Sequence, residues 1–143
     1  MLDDSLLIRR TVALAHRSVL EGGRPFSCLV ARDGRVVAES AAQTDASVHA
    51  EVQAVRAARA LLGSERLDGC EIYCIAQPCP RCLGFLRDAA PDRVVFLALQ
   101  EEYEPYYPDT DPQEEFTGWL PMTYLQEPDA VDVARLWAAN HVP

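Results

Sequence analysis

His49-Ala50-Glu51-Val52 and Pro78-Cys79-Pro80-Arg81-Cys82-Leu83-Gly84, separated by the β-type run Cys70-Glu71-Ile72-Tyr73-Cys74-Ile75-Ala76, form the stretch that decides this chain. Val52, Val55, Ala58, Leu61 and Leu62 recur at helical spacing, so Val48 to Leu62 reads as a helix that Gly63 is placed to stop. Pro80 suits the first position of the next helix, where its missing N–H would be unpaired anyway. A histidine and two cysteines therefore stand at the heads of two helices, with a strand between them.

Cys79 and Cys82 are three apart, which on a first helical turn points both sulfurs the same way. The partial positive charge of a helix N-terminus favours the thiolate, the form that binds metal. With His49 they make three ligands, and a catalytic zinc site takes three protein ligands and leaves a corner for water, whereas a structural site closes with four. Glu51 is left over to move protons. Because His49 and Glu51 are two apart, a regular helix would send them in different directions, so both are expected at the helix start. Cys-x-x-Cys alone is equally compatible with a redox or structural role; His-x-Glu upstream turns the reading to zinc hydrolytic chemistry, with one Zn2+ per chain.

Outward from this centre, apolar residues from Leu6 to Leu20 predict a first amphipathic helix over 5–20, capped by Ser5, Asp3 or Asp4. Gly22, Gly23 and Pro25 end it. Ser27 to Arg32 reads as a buried strand, Asp33-Gly34 as a two-residue hairpin and Arg35 to Ser40 as the returning strand. Val94 to Leu99 is the next strand. Strand, helix, strand, helix, strand in succession implies parallel pairing with right-handed crossovers. Gln100 to Gly118 holds seven carboxylates, three tyrosines and three prolines, too long for an ordinary connection, and is a candidate lid over 100–118. Asp129 onward, over 129–140, predicts a closing helix. Cys28, Cys70 and Cys74 fall in strand-like runs and read as small core residues; His16 and His141 read as ordinary surface or packing side chains.

The chain has 143 residues, 49% of them hydrophobic, which suits one domain over 1–143 able to bury about 70% of its unfolded surface. The first apolar stretch is interrupted by Arg9, Arg10, His16 and Arg17, fitting neither a signal-peptide core nor a membrane span, so a cytoplasmic protein is expected. Five cysteines without a secretory signal point to thiols and metal rather than disulfides. Thirteen basic residues, all arginine, against 22 acidic ones give a net charge of −9. That surface repels a polyanion and argues against a nucleic-acid partner.

From about Pro25 to Leu99 the chain resembles the cytidine deaminase superfamily, zinc-dependent enzymes that hydrolyse amino groups from nucleobases, through His49-Ala50-Glu51 and Pro78-Cys79-Pro80-Arg81-Cys82. Pro25-Phe26 and Cys70-Glu71-Ile72-Tyr73 make it most similar to the bacterial guanine deaminases. The resemblance implies an α/β fold: a three-layer α/β/α sandwich around a mixed five-stranded sheet with an antiparallel first hairpin. It further implies a homodimer, in which the tail of one subunit completes the other's site, and hydrolytic release of ammonia from a free purine-type base. Cytosine or nucleoside deamination, and a non-catalytic deaminase-like zinc module, are the alternatives. Carried over position by position, His49, Cys79 and Cys82 are the metal ligands and Glu51 is the catalytic acid–base. Phe26, Gln43, Ala50, Tyr106 or Tyr107, and Asp109 or Asp111 are the substrate contacts. Gln43 stands in for an asparagine usual after the second strand. Gln77 replaces the usual glutamate before Pro-Cys, and Ser27 replaces the usual glycine after Pro-Phe.

Overall fold

The computed structural model describes residues 4–41, 49–108 and 118–141. In chain order they form α1 (Asp4–Leu20), β1 (Ser27–Arg32), β2 (Arg35–Ala41), α2 (Ala50–Leu62), β3 (Cys70–Cys74), α3 (Pro80–Ala89), β4 (Arg93–Phe96), α4 (Gln100–Tyr103), β5 (Met122–Tyr124) and α5 (Pro128–Asn140). The five strands make one sheet in the order β2-β1-β3-β4-β5.

The hairpin forms where Asp33-Gly34 predicts it. Asp33 has φ 52° and Gly34 φ 77°, the paired left-handed conformations whose twist matches that of flanking strands. Gly63 likewise stops α2 in the left-handed region, at φ 63°.

The expectation of parallel pairing holds for only part of the sheet. β3 pairs with β4, and β4 with β5, in parallel, but β3 lies antiparallel to β1 rather than beside β2. The hairpin has two free edges, and β1, whose first five residues are all buried, takes the interior position while the more exposed β2 becomes an edge. Burial of the more apolar strand on both sides decides the order.

Alternation along the strands separates two cores. Leu29, Ala31, Tyr73, Ile75 and Val95 face α1 and α5, where they meet Leu14, Val19, Val133 and Ala134. Cys28, Val30, Ile72, Cys74, Val94 and Phe96 face α2 and α3, meeting Ala54, Val55, Ala58 and Leu86. The result is the expected three-layer sandwich. Cys28, Cys70 and Cys74 are all fully buried, as core residues should be. Ser27 is also fully buried, and its hydroxyl donates to the Thr11 carbonyl of α1 at 2.6 Å, so the residue that departs from the usual glycine ties strand to helix.

Of the expected lid over 100–118, Gln100 to Tyr103 form one helical turn with Tyr103 buried in the first core, and 109–117 lie outside the described residues. Among the described residues, no helix is long and apolar enough to cross a membrane.

Candidate metal centre and active site

Because β1 runs against β2, β3 and β4, the start of β1 and the ends of the other three lie at the same end of the sheet. Pro25-Phe26, the approach to His49, the β3–α3 loop bearing Cys79, and the turn into α4 all meet there. The crevice beyond the carboxyl ends of parallel strands is where open α/β sheets bind ligands.

His49 is the N-cap of α2 and Cys79 the N-cap of α3, each with extended backbone, while Cys82 is in the first turn of α3. Two helix N-termini thus converge. His49 Nδ1 lies 3.2 Å from the Cys82 sulfur and 4.0 Å from that of Cys79, and the three potential ligand atoms all fall within 4.8 Å of one another. Hydrogen bonding from Cys82 holds the Cys79 thiol well below its ordinary value, and the same contact pushes Cys82 up. Two sulfurs in direct contact beside an imidazole would repel as thiolates, and a divalent cation shared by them would relieve that repulsion.

The donor set suits zinc: one imidazole nitrogen and two sulfurs at helix N-termini, positioned as a candidate three-ligand site. Glu51, second residue of α2, is 8% exposed, and its Oε2 lies 3.7 Å from the Cys82 sulfur. Burial is the main force raising its pKa above the usual carboxylate value. Glu51 is therefore a desolvated carboxylate beside the His49, Cys79 and Cys82 cluster and outside it.

The residue-family model for the cytidine and deoxycytidylate deaminase zinc-binding region matches residues 1–98. The chain belongs to this family. Within it, the chain is 38% identical over 96 residues to the guanine deaminase of Bacillus subtilis, an alignment covering 64% of the present chain and 62% of that protein. The chain thus spans less than two thirds of that relative's length in sequence. The crystal structure of guanine deaminase from Bacillus subtilis superposes with a TM-score of 0.71 at 29% identity, covering 99% of this chain and 96% of the other. The guanine deaminase of Nitrosomonas europaea shares the fold at a TM-score of 0.81 and 21% identity, over 97% and 86% of the two chains.

The remaining predicted contacts of this deaminase-family chain are placed as follows. Phe26 sits at the mouth of β1, its ring 5.5 Å from Tyr103 and 4.9 Å edge-on from Tyr107. Ala50 begins α2 with its side chain in the second core, and its N–H, like any at a first helical position, has no acceptor within the helix. Tyr106 packs against the first core and turns toward α5, where Arg135 Nε donates to its hydroxyl at 3.0 Å. Gln43, Asp109 and Asp111 lie outside the described residues.

Two residues at this end escaped the sequence reading in their roles. The Gln77 side-chain carbonyl accepts from the Gln100 N–H at 3.0 Å. Glu102 accepts from the Leu99 N–H at 2.9 Å and from the Tyr124 hydroxyl at 2.5 Å. The substitution of Gln77 before Pro-Cys was the only signal for the first; nothing in spacing marks the second.

Proposed function

We propose that this chain is a zinc-dependent hydrolytic deaminase of a free aminated purine-type base, guanine or a close heterocyclic relative, and releases ammonia. The observation that carries the reading is the placement of Glu51: buried, beside but outside the His49, Cys79 and Cys82 cluster. A module that only bound zinc would have no use for that carboxylate. The Bacillus subtilis guanine deaminase, similar in sequence and along nearly the whole fold, supports the choice of base.

In this reading His49, Cys79 and Cys82 hold the metal. A zinc ion held by these three residues would lower the pKa of water there to about 7 and so supply a hydroxide nucleophile at neutral pH. Glu51 takes one proton from water and delivers it to a ring nitrogen of the base, then takes the second from the hydroxyl now on the ring carbon and passes it to the amino group, which leaves as ammonia as the carbonyl forms. Its raised pKa brings the carboxyl closer to the working pH, where giving and taking a proton are both accessible. The Phe26 ring offers a face to a flat heterocycle, and the Ala50 N–H at the helix start offers a donor. Tyr106, Gln43, Asp109 and Asp111 complete the set of substrate contacts in this assignment. A homodimer in the cytoplasm, acting on a small heterocycle, belongs to the same reading.

The test is ammonia release by zinc-loaded protein from guanine, adenine, cytosine, their nucleosides, pterins and triazines. Turnover of guanine or a related free purine supports the assignment. Turnover restricted to cytosine or nucleosides overturns the substrate class, and no ammonia from any compound at full zinc occupancy overturns the enzyme.

A further inference from the structure

Gln77 grips the turn after β4 at two points. Its backbone N–H donates to the Ala98 carbonyl at 2.8 Å, and its side-chain carbonyl accepts from the first N–H of α4, that of Gln100, at 3.0 Å. It stands two residues before Cys79, so one side chain links the loop carrying a candidate metal ligand to the start of α4.

α4 is short, but three side-chain contacts fan out from it. The Tyr103 hydroxyl donates to the Pro25 carbonyl at 2.9 Å, the Tyr103 ring packs on Phe26 at 5.5 Å, and Glu102 accepts from Tyr124 of β5. Directly after the helix, Tyr107 meets the Phe26 ring edge-on at 4.9 Å. The aromatic wall of Phe26, Tyr103 and Tyr107 is therefore set relative to Cys79 through α4, and Gln77 is the side chain that fixes the helix start to the metal-ligand loop.

The geometry points to Gln77 as a positioning residue that holds this aromatic wall at its working distance from the metal centre, and so governs binding of the flat base rather than the chemical step. The inference rests on the proposed role of Phe26 in base binding. Only an acceptor is needed at this position, because the Gln100 N–H is the donor. A carboxylate would serve as well as an amide carbonyl, whereas an isosteric alkyl group would not. Loss of the tether lets the wall move, weakening ground state and transition state alike, which raises KM and leaves kcat in place.

The experiment compares zinc-loaded wild type, Gln77→Leu and Gln77→Glu. Gln77 is exposed, so neither change disturbs the core. Gln77→Leu should raise KM for the free base about ten-fold, the change that roughly 1.4 kcal/mol produces, with kcat within about two-fold. Zinc content should be unchanged, and amide exchange over residues 98–105 should quicken. Gln77→Glu should return both KM and exchange to wild-type values. An unaltered KM in Gln77→Leu, a fall in kcat together with zinc content, or failure of Gln77→Glu to restore either readout overturns the assignment. If wild type deaminates nothing, the functional reading falls by itself; exchange alone then judges the tether, and equal rates in wild type and Gln77→Leu overturn it.

Discussion

Glu51 and Cys82, thirty-one positions apart in the chain, meet with Oε2 3.7 Å from Sγ, each in the first turn of a different helix. That contact sets the carboxylate beside the candidate metal ligands without adding it to them. Glu51→Gln keeps the shape and removes the proton carrier. Zinc content should stay at the wild-type level while kcat falls by about 10²- to 10⁴-fold, the range for a lost general acid–base. Metal analysis and ammonia release on the same sample check this, and substantial remaining turnover would remove Glu51 from its role.

Cys79→Ala and Cys82→Ala should each lose zinc, because two ligands rarely retain what three hold. Cys28→Ala should not. Its sulfur lies 3.9 Å from that of Cys74 across paired strands, in the second core rather than among the ligand atoms. Undiminished zinc in either of the first two variants, or loss in the third, would mean a different ligand set.

Tyr103→Phe removes the hydroxyl that satisfies the buried Pro25 carbonyl. Leaving such an acceptor unpaired costs about 1–3 kcal/mol. Urea unfolding should show that loss with an unaltered slope; wild-type stability would mean that the carbonyl finds another donor.

Arg10 and Glu39 join α1 to the edge strand β2, with Arg10 Nε donating to Glu39 at 2.9 Å. Hydrogen bonding from Arg10 lowers the Glu39 pKa below its usual value of 4.5. A depressed carboxylate contributes stability above its unfolded value, and loses it as pH falls through the folded one. Both side chains are substantially exposed, so the contribution is at most about 1 kcal/mol. Glu39→Gln should therefore be slightly less stable than wild type at pH 7, with the difference shrinking as pH falls below 4.5 in denaturant titrations. A difference that persists unchanged in acid would assign the effect to packing.

Local patterns were readable where neighbouring residues alone decide them. The β1–β2 hairpin, the Gly63 stop and the start of α3 at Pro80 depend on backbone preferences of a few adjacent residues. Periodicity does not mark β5, because Met122–Tyr124 is only three residues long and half-buried, and its pairing with β4 supplies what its own pattern lacks. Nor did element order reveal that β3 would lie against β1. That choice compares burial on two edges of a hairpin, and the comparison exists only once strands meet.

By itself the sequence determined which atoms could hold a metal and that each would stand at a helix start, since residues within one turn share a direction and capping is local. Tertiary structure decided that the two starts face each other, that Glu51 loses its water, and that Gln77 reaches α4. Desolvation and contacts between distant segments depend on what the rest of the chain packs around a residue, and no spacing along the chain carries that.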